Sequence, residues 1–215
     1  MRATERPTKV PPVVLEGSHV RLEPLAPGHA RGLLAAASGP RGTYGFTTVP
    51  SDLPAMVGYI AAALRDQEAG RALPFATVAT ATERVVGSTR FGNIEFWPWP
   101  PGNANQRGED TPDVVEIGWT WLAADAQRTP INTEAKLLML THAFEAWRVH
   151  RVSLMTDARN ERSRLAILRV GAKFDGVIRA QRPGSDGTIR STAAFSILES
   201  EWPTVKGQLH SRLDQ

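Results

Sequence analysis

A layered α/β (α+β) domain, with helices packed on a mixed sheet, is the fold this chain predicts. Three observations carry the prediction. Alternating apolar and polar runs of strand length recur along the sequence, some joined by tight turns and others separated by helix-length segments with apolar residues three and four apart. The mixture of hairpins and helical connections requires both antiparallel and parallel neighbours in one sheet. Hydrophobic residues make up 41% of 215 residues and charged residues 22%, the balance of one well-cored globular unit, and no internal repeat divides it.

Residues 1–12 contain three prolines and several charges and are expected to form a loose arm before a single domain over 13–215. His19 to Leu25 alternates as a first strand, and Pro27-Gly28 opens a short helix ended by the Gly39-Pro40-Arg41-Gly42 cluster. Asp52 followed by Pro54 starts a helix running to about Glu68. Leu73–Thr80 and Arg84–Phe91 read as an antiparallel pair across the turn Ala81-Thr82-Glu83. Between 93 and 113 the chain is irregular. Prolines there exclude a regular element, yet Phe96, Trp97 and Trp99 are costly to leave in water. Two readings stay open for them, a loop folded back on its own core and a wall of a substrate site or subunit contact.

The segment from Val114 to Trp147 organises the rest. Strand alternation places Val115, Ile117, Trp119 and Trp121 on one face and Glu116, Gly118 and Thr120 on the other. A helix follows, with Leu137, Leu140, Phe144 and Trp147 on one stripe. Thr129-Pro130 has the form of an N-cap with proline in the first turn, which leaves the amides of Ile131, Asn132 and Thr133 to face an anion. A plain capped helix is the alternative. Beyond it, His150–Thr156 reads as a strand and Arg159–Val170 as a helix stopped by Gly171. Phe174–Ala180 and Ser191–Leu198 form a last hairpin, and a helix from Ser200 to about Leu213 closes the chain.

The order Glu116-Ile117-Gly118, then Gln127-Arg128-Thr129-Pro130-Ile131-Asn132 into a long helix, resembles the acetyl-CoA-binding region of the GNAT acetyltransferases. Asn160-Glu161-Arg162-Ser163 and the later Gly171-Ala172-Lys173-Phe174 are similar to the RimJ/RimL-like branch, the ribosomal-protein N-terminal acetyltransferases. The resemblance implies a mostly antiparallel central sheet flanked by helices, and direct acetyl transfer from acetyl-CoA to a primary amine within a ternary complex. The amine belongs to a protein N-terminus or to a small molecule. It implies Glu116 as base, acting through water, and Ser163 as donor to the leaving sulfur. Acetyl-CoA contacts are implied for Trp121, Leu122, Gln127, Arg128, Thr129, Ile131, Asn132, Thr133 and Asn160, and Trp97 and Trp99 stand as candidate substrate contacts. Read without the resemblance, Glu116 is sooner an arginine-paired carboxylate than a base, and Asn160 and Ser163 are a helix cap. One departure stands out: Pro130 occupies the first glycine slot of the family's pyrophosphate loop and has no N–H to offer.

The chain has no cysteine, which excludes disulfides, thiolate metal sites and a cysteine nucleophile. His19, His29, His142, His150 and His210 lack metal-ligand spacing, so no metal is expected. There is no apolar run of the roughly 18 residues a membrane span needs, and the N-terminus lacks the apolar core of a secretory signal. A cytoplasmic location is therefore the expectation. A net charge of +3 with scattered arginines argues against nucleic acid as partner. Two other classes remain, a non-catalytic acyl-CoA-binding protein, suggested by Pro130, and a nucleic-acid-associated domain, suggested by a pI near 9.7. A symmetric homodimer is open on either reading.

Overall fold

The computed structural model describes residues 10–108 and 110–214. Most of the expected arm, residues 1–9, lies outside the described residues, and Val10 is already buried in the core. Eight strands form one sheet: β1 (Leu15–Glu16), β2 (Val20–Pro24), β3 (Leu73–Ala79), β4 (Arg84–Glu95), β5 (Val114–Leu122), β6 (Arg151–Asp157), β7 (Lys173–Pro183) and β8 (Ile189–Leu198). Their order is β1-β2-β3-β4-β5-β6-β8-β7. All neighbours are antiparallel except β5 and β6. A parallel pair needs a long crossover, and the helix predicted after Thr129 supplies it.

Among the described residues five α-helices cover the sheet: α1 (Ala30–Ala37), α2 (Leu53–Glu68), α3 (Pro130–Thr141), α4 (Glu161–Val170) and α5 (Trp202–Leu213). Several starts have a local cause. The Asp52 carboxylate accepts the Ala55 amide at 2.8 Å to begin α2, and the Asn160 side-chain Oδ1 accepts the Ser163 amide at 3.1 Å to begin α4. Gly171, at φ 107°, ends α4 in the left-handed conformation that glycine adopts without strain.

Helices α1 and α2 lie over β3 and β4 on one face, and α3 and α5 lie on the other. Two apolar cores result. The larger holds Phe75, Phe91, Val115, Ile117 and Phe195 against α3 and α5, together with the predicted stripe Leu137, Leu140, Phe144 and Trp147. The smaller holds Ala76, Val86 and Trp121 against Leu33, Met56 and Ile60 of α1 and α2. After Thr141 the helix continues as a π turn, His142–Ala146, closed by the Trp147 amide on the His142 carbonyl at 3.0 Å.

One side chain of α3 ties the first hairpin to the body. The buried Glu134 carboxylate accepts the amides of Ser18 at 2.9 Å, His19 at 2.6 Å and Val20 at 2.9 Å. A Cβ on Gly17 would stand 2.5 Å from that carboxyl carbon, so only glycine admits this approach. Glu134→Ala leaves three amides without their charged acceptor and is expected to destabilise the protein by about 3 kcal/mol or more. The thermal midpoint should fall by roughly 6 °C or more. A midpoint unchanged in calorimetry would show that water replaces the carboxylate at no cost.

Candidate active site

The site begins with a break in strand regularity. Along β4 and β5, Phe91 pairs with Ile117 and Arg90 with Gly118, but Ser88 pairs with Trp121. Thr89 alone therefore faces both Trp119 and Thr120, which is a β-bulge, and Trp119 adopts φ 50°. The bulge corrects the simple alternation expected for this strand. Val115 and Ile117 face α3 and α5, whereas Trp121 is buried against α1 and α2. Thr120 no longer shares a face with Glu116; its hydroxyl meets Thr89 Oγ1 at 2.7 Å and accepts from Lys136 Nζ at 2.7 Å, on the α3 side. One inserted residue is enough to invert every side chain beyond it.

The same stretch opens the sheet. The parallel ladder between β5 and β6 covers only Val114–Glu116 against Arg151–Ser153. From Ile117 onward the two strands separate, and the β6-facing edge of β5 has no strand beside it. Glu116 stands where they part. It is 5% exposed, and its carboxylate accepts the Asn93 Nδ2 at 2.6 Å. Gly118 makes room for it, since a Cβ there would lie 2.9 Å from Glu116 Oε1. Burial pushes the Glu116 carboxyl above the usual carboxylate range, opposed by the Asn93 hydrogen bond and by the positive charge of Arg182 and Arg190. A raised carboxyl pKa suits a proton acceptor working near neutral pH.

Around Glu116 the same face carries groups that no single-strand pattern revealed. Arg90 is buried between rings, its guanidinium carbon 5.5 Å from the Tyr59 ring centre and 5.1 Å from that of Trp119. The Trp119 indole lies over Gly92, where a Cβ would meet it at 2.3 Å. Asn93, at φ 45°, owes its position to a second irregularity between Gly92 and Glu95. Sequence alone offered one weak signal for this cluster, the glycines at 92 and 118.

The loop before α3, where the cofactor is expected, is built by struts. The Gln127 amide nitrogen donates to the Leu122 carbonyl at 2.9 Å and to Thr43 Oγ1 at 3.0 Å, and its oxygen accepts from Arg162 at 2.9 Å. Tyr44 Oη also donates to the Leu122 carbonyl. Gln127 thus braces the loop, and it brings Arg162 of α4 to the loop's flank. Arg128 holds φ 62°, a conformation that favours glycine. Thr129 caps α3, accepting the Ile131 amide at 3.4 Å and donating to the Ala126 carbonyl at 2.8 Å.

In a helix beginning at Pro130, the Thr133 amide is the first intrahelical donor. Of the three amides expected to face an anion, that of Ile131 is held by Thr129, that of Thr133 falls within the helical hydrogen-bond pattern, and that of Asn132 has no intrahelical acceptor. Asn160 and Ser163 do form the α4 cap. The Ser163 side chain lies on the sheet-facing stripe with Ile167 and Val170, at steps of four and three.

Trp97 and Trp99 stand at a different corner. The buried Asp113 carboxylate accepts the Trp97 amide and the Trp99 indole N–H, each at 2.6 Å, and His150 stacks on the Trp97 ring at 5.7 Å. These contacts lie at the start of β5 and β6, ahead of Glu116, and match a loop folded back on the body. Among the described residues no cluster of His, Cys, Asp or Glu is arranged to hold a metal ion. Nor is any helix among them long and apolar enough to cross a membrane.

The model of the acetyltransferase (GNAT) domain matches residues 19–173. A GCN5-related N-acetyltransferase from Brucella melitensis superposes with a TM-score of 0.80 at 28% identity, over 99% of this chain and 90% of that one. A protein from T. thermophilus, described as an acetyltransferase, gives 0.76 at 31% identity, over 95% and 98%. Mycobacterium smegmatis RimJ, in complex with CoA-disulfide, gives 0.75 at 19% identity, over 94% and 95%, a likeness of fold. No curated protein matches by sequence. Because the family model spans well over half of the chain, the protein belongs to the GNAT acetyltransferases, and acetyl transfer from acetyl-CoA is its general activity.

Proposed function

We propose that the protein is an N-acetyltransferase of the RimJ/RimL-like type, moving an acetyl group directly from acetyl-CoA to a primary amine. The observation that carries this reading is Glu116, a buried carboxylate of raised pKa at the point where β5 and β6 part. The residues present fit acetyl-CoA. The uncovered edge of β5 offers backbone groups, the Asn132 amide at the start of α3 has no intrahelical acceptor, and Arg128 and Arg162 flank the loop with positive charge.

Acetyl-CoA supplies an acyl thioester, and this chain's residues do the rest. Glu116 takes the proton from the attacking amine through one water, which frees the nitrogen lone pair for the carbonyl carbon. As the carbon–sulfur bond breaks, the Ser163 hydroxyl donates to the departing sulfur. Holding both substrates in the same cleft supplies the proximity on which such a transfer depends. The RimJ/RimL-like branch is supported by the ordered segments at Asn160–Ser163 and Gly171–Phe174.

Titration calorimetry with acetyl-CoA tests the reading. Wild-type protein is expected to bind in the micromolar range. Pro130→Gly, which restores one amide donor, should bind more tightly. Thr129→Ala should bind about fivefold more weakly, the equivalent of about 1 kcal/mol for a lost cap. No heat from any of the three would remove the acetyltransferase reading of this loop.

A further inference from the structure

The last hairpin is longer than its charged sequence suggests, and the extension carries a pair of arginines into the sheet. Arg182 of β7 lies directly opposite Arg190 of β8. Their face can be traced across the sheet by register. Arg190 Nε donates to Thr192 Oγ1 at 3.0 Å, two residues along the same strand. Thr192 pairs with Asp157 of β6, and Ser153, four residues earlier on the same face of β6, pairs with Glu116. The two arginines and Glu116 therefore look out on the same side, and both arginines are close enough to draw the Glu116 carboxyl downward.

Like charges placed directly opposite on a ladder repel, and a guanidinium half out of water loses hydration it needs. Neither Arg182 nor Arg190 has an ion-pair partner among the described residues, and Arg190 Nη2 is buried with no hydrogen-bond acceptor. The neighbouring carboxylates are engaged elsewhere: Asp157 accepts from Arg159 at 2.7 and 3.0 Å, and Glu116 accepts from Asn93. Arg159, two residues beyond Asp157, shows the contrast, being paired with both Asp157 and Asp186. The buried Arg90 also leaves its Nε without an acceptor on this face. A cationic surface with unspent donors beside the proton acceptor is complete only when an anion arrives.

We propose that Arg182 and Arg190 form an anion subsite, so that the amine acceptor carries a carboxylate or a phosphate near its amino group. The inference rests on the acetyltransferase reading of the same cleft. Its chemistry is coherent with that reading: fixed positive charge beside the amine disfavours its protonated form and favours the free nucleophile.

Matched acceptors provide the test, each anionic amine set against its neutral counterpart with acetyl-CoA at saturation: phenylalanine against phenethylamine, O-phosphoethanolamine against ethanolamine, and a peptide with aspartate as second residue against one with asparagine. In at least one pair the anionic member should have kcat/KM about tenfold higher or more, chiefly through KM. Which pair responds distinguishes free carboxylate, phosphate and acidic peptide. Arg190→Gln should bring the ratio of that pair close to one, and Arg182→Gln, on an exposed residue, provides the same readout if the first variant fails to fold. Neutral members equal to or better than anionic ones in every pair, a ratio unmoved by either substitution, or no anionic acceptor acetylated by protein that binds acetyl-CoA, would each overturn the subsite. Absence of acetyl-CoA binding in the wild type would instead overturn the acetyltransferase reading, and the subsite with it.

Discussion

Glu116→Gln is expected to lower kcat by about a hundredfold or more while acetyl-CoA affinity stays the same. The glutamine keeps the shape and can still meet Asn93, but it cannot take the amine's proton, and a positioned base contributes factors of this size. The pH profile adds a sign. The Asn93 amide favours the charged carboxylate, so Asn93→Ala should move the acidic limb of kcat/KM to higher pH. Stability should move opposite to activity. A carboxyl whose pKa is raised on folding contributes stability below its unfolded pKa and loses it as pH rises through the folded value. Above that folded value the ionised Glu116 is therefore a burden, and there the Gln variant should melt no lower than wild type. Turnover unchanged in the Gln variant would show that another group accepts the proton.

Lys136→Met is expected to stabilise the protein below neutral pH, by on the order of a few kcal/mol. Lys136 sits in α3 with 6% exposure and, among the described residues, no carboxylate beside it; its ammonium donates to Thr120 Oγ1 at 2.7 Å and Thr89 Oγ1 at 3.3 Å. Burial lowers its pKa from 10.5 to about 7. Between about pH 7 and 10.5 the unfolded chain binds the proton and the folded one does not, so wild-type stability should rise with pH across that window. Below about pH 7 both states are charged, and the full penalty applies. Urea unfolding of both proteins at pH 6 and pH 9 measures the effect. A difference between wild type and variant that stays constant from pH 6 to pH 9 would mean that Lys136 keeps an ordinary pKa. This lysine lies beneath the bulge, where it holds the hydroxyl of Thr120, the residue after Trp119.

Much of the fold was readable from local chemistry. Asp52, Thr129 and Asn160 cap the helices predicted for them, Gly171 stops α4, and the stripe from Leu137 to Trp147 is buried as its spacing requires. These are properties of a few consecutive residues, so the chain need not know its neighbours to express them. The strand that holds Glu116 was found, and Glu116 does stand on the face away from Val115 and Ile117.

What followed Glu116 was not readable. A bulge is a relation between two strands, fixed when Thr89 has to face Trp119 and Thr120 together, and no periodicity within β5 announces it. For the same reason the hairpin at 173–198 ran further than its polar residues suggested. Arg182 and Arg190 look like loop residues until their backbones pair. Gln127 also braces its loop, a role no local pattern shows, because Thr43, Leu122 and Arg162 come within reach of it only in the folded chain. The sequence by itself determined the elements, their caps and the carboxylate's strand. Tertiary structure alone decided the register, and through it which side chains share a face with Glu116, because register depends on interactions between segments distant in sequence.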